Sequence, residues 1–385
     1  MATELARQVK FTLNKHPNAD KLSIATIDGM DWQCVTQTEQ WGDVREGIYI
    51  AIDALLDVSL PSFDFLKDKA TKKLSNGRPA HKLKTIRLRG ALSQGLLIPV
   101  PESLPGMLPG ETGVEIAPLG GHWGTWTEAL GIERYEPPIP SNMSGDMIRC
   151  PGAFQSYTHI ENAKNFPDVF AEGDPVRVTE KIHGTNFRVA LVVDGMVTDG
   201  VATPTYMVGT HNTARDPKGT NAYSLAAAKF LPEDKVRALV QNDNGSWPMT
   251  EHYIIFAELF GSGIQDLTYG CEANVQQVRI IDVLVDGRYQ GREVIEKVAE
   301  VLGLQTVPVL YRGPFNKESV QALRDGASTL PGAKHVREGV VVTSEPETRV
   351  DFYQGQQLAS GFQGRKILKY ISDAYLERKD AKDGH

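Results

Sequence analysis

Thr179–Glu180–Lys181–Ile182–His183–Gly184–Thr185–Asn186–Phe187–Arg188 is the stretch on which the reading of this 385-residue chain turns. An apolar, β-branched run, PVRVTEKI, delivers a lysine to a glycine turn, and a second run, NFRVALVV, leads away from it. A strand-end lysine ordinarily keeps its ammonium in water, and taken alone the stretch is compatible with that. It is equally compatible with a nucleophile, which needs a neutral amine and hence desolvation or neighbouring cations. Gly184 would let a phosphate approach the backbone closely.

Three further segments bear on the choice. Ile255–Phe256–Ala257–Glu258–Leu259–Phe260–Gly261 sets a carboxylate inside an apolar strand, and Arg337–Glu338–Gly339–Val340–Val341–Val342 sets another at the mouth of a β-branched run. Each could be a strand-edge glutamate paired with an arginine. A carboxylate in such a run is nevertheless costly unless paired or bound to ligand or metal. Arg365–Lys366–Ile367–Leu368–Lys369–Tyr370 adds two lysines three residues apart, which as a bland feature would be a solvated basic end.

In this order the segments resemble the motifs of the covalent nucleotidyltransferase superfamily, the polynucleotide ligases and RNA capping enzymes. KIHGTN is similar to motif I, FAELFG to motif III, RIIDV (Arg279–Val283) to motif IIIa, EGVVV to motif IV and RKILK to motif V. His183 and Asn186 resemble RNA ligases, where DNA ligases carry KxDG with an arginine. The resemblance implies an α+β nucleotidyltransferase domain, ATP-grasp-like, with antiparallel sheets and flanking helices. It implies that Lys181 attacks the α-phosphate of ATP to form lysyl-AMP and that Glu258 accepts a hydrogen bond from the ribose. Glu338 would help hold Mg²⁺ or Mn²⁺, whose charge offsets the triphosphate. Lys369, with Lys366 close by, would contact the α-phosphate and help keep Lys181 neutral. Ile182, Phe260, Ile281 and Val340 would line the nucleotide pocket, while His183 and Asn186 act on the RNA end. His211 or Arg215, in GTHNTAR, would stand in for motif Ia. Ile281 occupies a place where the family often has an aromatic against adenine. The motif V lysines are three apart where two is usual, which leaves open which of them touches phosphate.

Working outward, residues 1–135 alternate short β-type runs with Gly/Pro turns, as expected of a small β-barrel. His16–Pro17–Asn18–Ala19–Asp20–Lys21–Leu22 resembles the OB-fold modules of tRNA-binding proteins, although locally it is also an ordinary Asx turn. RLRGALSQGL (Arg87–Leu96) recurs in the N-terminal modules of one ligase group. Between Lys67 and Arg89 stand nine Lys or Arg against one acid, Asp68. On an OB-like barrel beside a ligase domain, such a run is expected to track phosphates, with Lys82, Lys84, Arg87 and Arg89 among its cations. A stiff three-proline stretch, Tyr135–Asn142, would then lead into the nucleotidyltransferase domain over 136–385. There strand-like runs alternate with the helical candidates SLAAAKFL, EDKVRALVQN, REVIEKVAEVLGL and KESVQALRDG.

Composition narrows the alternatives. With 41% apolar and 23% charged residues the chain is neither disordered nor fibrous, and its net charge of −7 gives no hint of a polyanion partner. Three scattered cysteines exclude a thiolate zinc site or a disulfide scaffold and fit a reducing cytoplasm. No P-loop, HExxH or GxSxG occurs, and no apolar stretch is long enough to span a bilayer. Only 16 residues follow Lys369, too few for the C-terminal OB domain of DNA ligases and capping enzymes. An OB module placed first resembles the RNA ligase 5 family. The expected protein is therefore a monomeric ATP-dependent ligase of 3′-OH and 5′-phosphate RNA ends, at nicks in duplex RNA or an RNA–DNA hybrid. The rival is a tRNA- or structured-RNA-binding protein with a vestigial nucleotidyltransferase domain. A GTP-using capping enzyme is disfavoured by His183 and Asn186.

Overall fold

A computed structural model describes residues 4–101, 125–136, 140–193, 204–240, 252–350, 352–353, 356–357 and 364–378. The three-proline stretch and the charged C-terminal tail fall partly outside them. By its contacts the chain divides into two units: Met1–Pro137 with Glu161–Val169 and Leu376–His385, and Pro138–Ile160 with Phe170–Tyr375.

In the first unit one long strand, Ala6–Lys15, serves two neighbours. Its first half pairs antiparallel with Glu46–Ile50, and its second half with Leu22–Ile27. A strand that changes partner midway bends a sheet toward closure. The five-stranded sheet runs Leu96–Ile98, Glu46–Ile50, Ala6–Lys15, Leu22–Ile27, Gln33–Gln37. A four-stranded sheet runs Glu133–Arg134, Ala54–Asp57, Pro79–Lys82, Lys72–Lys73, and together they form an OB-like barrel. Alternation fills it: Ala6, Ile48, Ile50, Ala54 and Leu56 point inward, joined by Phe63 from the 3-10 helical segment Pro61–Lys69 and Trp126 from a short helical turn. The HPNAD turn does structural work. His16 is buried with Nε2 3.0 Å from the Leu88 carbonyl, and the Asn18 side-chain amide donates to the Arg89 carbonyl at 3.0 Å.

The second unit is built mainly on two large, largely antiparallel sheets with helices, as α+β patterning requires. The larger runs Met147–Ile148, Ala214–Arg215, Thr205–Gly209, Thr185–Val192, His252–Gly261, Gln276–Val285, Arg288–Tyr289, with Gln305–Thr306 parallel to Gln276–Val285. One face packs on helices Ala222–Phe230, Glu233–Val240 and Arg292–Leu302. Each helix carries its local signals. Asn221 caps the first by accepting the Tyr223 and Ser224 N–H groups, Pro232 separates the first two, and Gly303 ends the third at φ 67°. The last presents Ile295, Val298, Ala299 and Leu302 to the core, the i, i+3, i+4, i+7 stripe of a one-sided helix. In the smaller sheet Ile367–Ile371, Gly339–Ser344, Pro175–Lys181 and Val309–Pro314 lie side by side. No helix among the described residues is long and apolar enough to cross a membrane.

Candidate active site

Lys181 is the last residue of its strand and pairs with Gly339, the first of the neighbouring one. That register brings Glu338, one residue earlier, beside the lysine, and Nζ donates to its Oε1 at 2.8 Å. Only glycine fits at 339, since a Cβ would lie 2.1 Å from the Tyr370 carbonyl oxygen. Glu338 is fully buried. Burial works to raise its pKa, but Lys181 and His183 outweigh it and hold the carboxyl below its ordinary value. Its second oxygen, Oε2, is buried with no hydrogen-bond partner. Oxygen lone pairs left open beside a lysine suit a hard divalent cation that draws its remaining ligands from phosphates and water. Among the described residues no three His, Cys, Asp or Glu form a complete cage.

The turn after Lys181 presses onto strand His252–Gly261. A Cβ on Gly184 would come within 2.4 Å of the Leu259 carbonyl oxygen and 2.9 Å of Glu258 Oε1. Such an approach admits no side chain, and it lets the Gly184 N–H donate to the Glu258 carboxylate. Glu258 keeps a small solvent-facing surface, yet burial raises its pKa to about 8. Lys181 opposes that rise and Glu338 reinforces it. Asn186 faces Glu258 across the sheet, half-buried, with Oδ1 lacking a hydrogen-bond partner.

His183 is buried rather than presented to a ligand. Its Nε2 lies 2.7 Å from Asp266 Oδ1 and its Nδ1 3.1 Å from the Tyr375 hydroxyl, while its backbone N–H donates to the Tyr269 hydroxyl. Burial lowers its pKa, but Asp266 and Glu338 together carry it above the ordinary histidine value. Sequence reading missed Asp266, Tyr269 and Tyr375. Asp266 and Tyr375 stand 83 and 192 positions from His183, and an Asp in a glycine-flanked loop or a Tyr in a short helix carries no local signal.

Strand parity sorts the two lysines. Thr179, Val341 and Lys369 are aligned across three strands and share the face of Lys181, two residues from Thr179. Lys366 lies one residue before that strand, and its Nζ donates to Asp174 Oδ2 at 2.6 Å while lying 5.2 Å from the Phe170 ring centroid. The expectation that it joins the phosphate set is therefore not met here. Val340 also points to the far face, fully buried. Ile182 and Phe260 are buried wall residues, the latter edge-on to Tyr269 at 5.3 Å. Ile281 falls at a register shift, since Phe256 faces Asp282 and Ala257 faces Ile280, and it packs half-buried against the core cluster that includes Phe256 and Tyr157. Asp282 serves structure, accepting from the Tyr157 hydroxyl at 2.6 Å and from buried Arg365 at 3.1 Å.

The expected RNA contacts divide as well. His211 lies half-buried in the turn between Thr205–Gly209 and Ala214–Arg215. Arg215 is buried and donates to the Gly145 carbonyl at 2.6 Å, so its guanidinium is not offered to a backbone phosphate. In the first unit Lys82 is buried against Asp53 at 2.5 Å and over the Tyr135 ring, because it shares the inward face with Ala80. Arg87 is half-exposed but engaged with both oxygens of Glu377, at 3.0 and 2.6 Å. Lys84 and Arg89 are exposed.

A strand-end lysine bound to a buried carboxylate, with a second carboxyl under the adjoining glycine turn, defines the class: a covalent nucleotidyltransferase joined to an OB-like barrel. An RNA ligase family model matches residues 174–371, just over half of the chain, and an OB-fold domain model matches residues 5–100. The chain belongs to the RNA ligase family. Similar solved structures include a point mutant of Naegleria gruberi RNA ligase with ATP and Mn, at 24% identity and TM-score 0.73, covering 98% of this chain and 100% of that one. The same ligase with PPi matches at 23% and 0.73, over 99% and 100% of the two chains. A further mutant with AMP and Mn matches at 23% and 0.72, over 98% and 99%. At these identities the likeness concerns the fold. No curated protein sequence matches the chain.

Proposed function

We propose that this protein is an ATP-dependent RNA ligase that seals 3′-OH and 5′-phosphate ends at nicks in duplex RNA or RNA–DNA hybrids, resembling the RNA ligase 5 family. The observation that carries the reading is the Lys181 amine 2.8 Å from buried Glu338, on a chain whose family is RNA ligase. In the first step Nζ releases its extra proton to solvent, gives up its bond to Glu338 and attacks the α-phosphorus of ATP. The N–P bond forms, the bond to the bridging oxygen breaks, and pyrophosphate leaves. Next an oxygen of the RNA 5′-phosphate attacks the same phosphorus, and the lysine amine leaves. Finally the 3′-OH attacks the activated 5′-phosphate, forming the phosphodiester and releasing AMP. Each step depends on in-line positioning and charge neutralisation. Lys369, on the Lys181 face, supplies positive charge at the phosphate, and Glu258 meets the ribose. Glu338 would hold Mg²⁺ or Mn²⁺, which neutralises triphosphate charge.

Exposed Lys84 and Arg89 offer the first unit's cations to RNA. Three unbridged cysteines support a reducing, cytoplasmic setting, and a monomer suffices for the chemistry. Sealing assays on a panel of nicked duplexes, with ribose or deoxyribose on each side of the nick, test the substrate assignment. Sealing of at least one RNA-containing nick is expected, and the panel shows which side of the nick must be RNA. Lysyl-AMP formation without sealing of any nick would instead favour an RNA-binding protein with a vestigial catalytic domain.

A further inference from the structure

His183 stands two residues after Lys181, yet it is only 4% exposed and both ring nitrogens are engaged. An ionised carboxylate only accepts, so Nε2 carries a proton toward Asp266 Oδ1, and the Tyr375 hydroxyl faces Nδ1. Tyr375 is fully buried and meets the imidazole edge-on, with ring centroids 5.4 Å apart. Asp266 belongs to the loop after strand His252–Gly261, whose Ile264, Leu267 and Tyr269 are buried. Tyr269, the residue whose hydroxyl takes the His183 N–H, holds φ at 53°, a costly value for a bulky side chain. Backbone strain of that kind persists where surrounding contacts over-determine it. That loop and the short helix Asp373–Leu376 thus hold the turn after Lys181, at the His183 ring and at the His183 backbone.

We propose that Asp266 and Tyr375 are positioning residues for adenylyl transfer, acting through His183 to hold the Lys181–Gly184 turn so that Nζ faces the nucleotide α-phosphorus. The inference rests on the ligase reading above. It places His183 behind Glu338, whose Oε2 is 3.8 Å from Nδ1, and away from the RNA end. Small displacements of a nucleophile cost rate far more than affinity, which gives the proposal a kinetic signature.

The test is a double-mutant cycle on the full-length protein, read as the single-turnover rate of lysyl-AMP formation and the KM for ATP. Asp266→Ala and the isosteric Asp266→Asn should each slow the step by about tenfold or more, with KM changed by no more than about twofold. Asp266→Glu should recover part of the rate, and Tyr375→Phe should act in the same direction as Asp266→Asn. In a His183→Ala background, Asp266→Ala should add less than about a twofold effect, since the two act as one unit. Multiplying losses in the double mutant, or a wild-type rate in Asp266→Asn, would overturn the proposal. So would a loss accompanied by a raised KM and a lowered melting temperature, which would mark a merely structural role. If Asp266→Ala does not fold, Asp266→Asn and Tyr375→Phe decide the matter. A wild-type protein that forms no lysyl-AMP at all would refute the ligase reading itself, a separate outcome.

Discussion

At Glu258, burial raises the pKa of one carboxyl group to about 8, against an ordinary 4.5 in the unfolded chain. Between these values the folded protein binds more protons than the unfolded one, so stability falls as pH rises, by up to about 1.4 kcal/mol per pH unit. Below the unfolded value the effect is absent. Glu258→Gln removes the titration. Its melting temperature should coincide with that of the wild type at or below about pH 4 and exceed it by pH 8, and midpoints that stay parallel would contradict the assignment. Residues of this kind are legible in the sequence, because Lys181, Glu258 and Glu338 are charges where an apolar run makes charge expensive. Asp266 and Tyr375 are not, since nothing in their own neighbourhoods departs from an ordinary loop or helix end.

At the scale of the strand, the two lysines of the last motif are held differently. Lys369 shares the face of Lys181, whereas Lys366 spends its charge on Asp174 and holds that carboxyl below its ordinary pKa. Lys369→Ala should therefore slow lysyl-AMP formation by about tenfold or more, while Lys366→Ala leaves it within about twofold. The loss of a partly exposed pair should cost Lys366→Ala at most about 1 kcal/mol of stability. Equal defects in the two variants, measured as labelled protein against time, would show that parity does not select the phosphate contact. The motif V spacing alone left this choice open, because parity becomes informative only once the strand is known to run Ile367–Ile371. Lys82 teaches the converse. The strand Pro79–Lys82 alternates, with Ala80 and Lys82 both inward, so one member of the basic run is buried despite its company. A count of charges along a chain ignores that period.

At the scale of the molecule, the β-rich first third and the alternating second part were readable from turn residues and apolar periodicity, and so was the order of the motifs. The change of partner along Ala6–Lys15 was not, nor was the return of Glu133–Arg134 to pair with Ala54–Asp57. Such pairings are set by burial of distant surfaces such as Trp126, which local propensity does not encode. The net charge of −7 likewise says little about the proposed site, where Lys181, Lys369 and two carboxyl groups lie on a few strands. The proposed function stands on covalent adenylylation of Lys181. Incubation with α-labelled ATP and Mg²⁺, followed by peptide mapping by mass spectrometry, tests it most directly. One AMP is expected on the peptide containing Lys181, released by pyrophosphate and abolished in Lys181→Ala. Wild-type labelling of Lys181→Ala, or an adduct mapped to another residue, would contradict it.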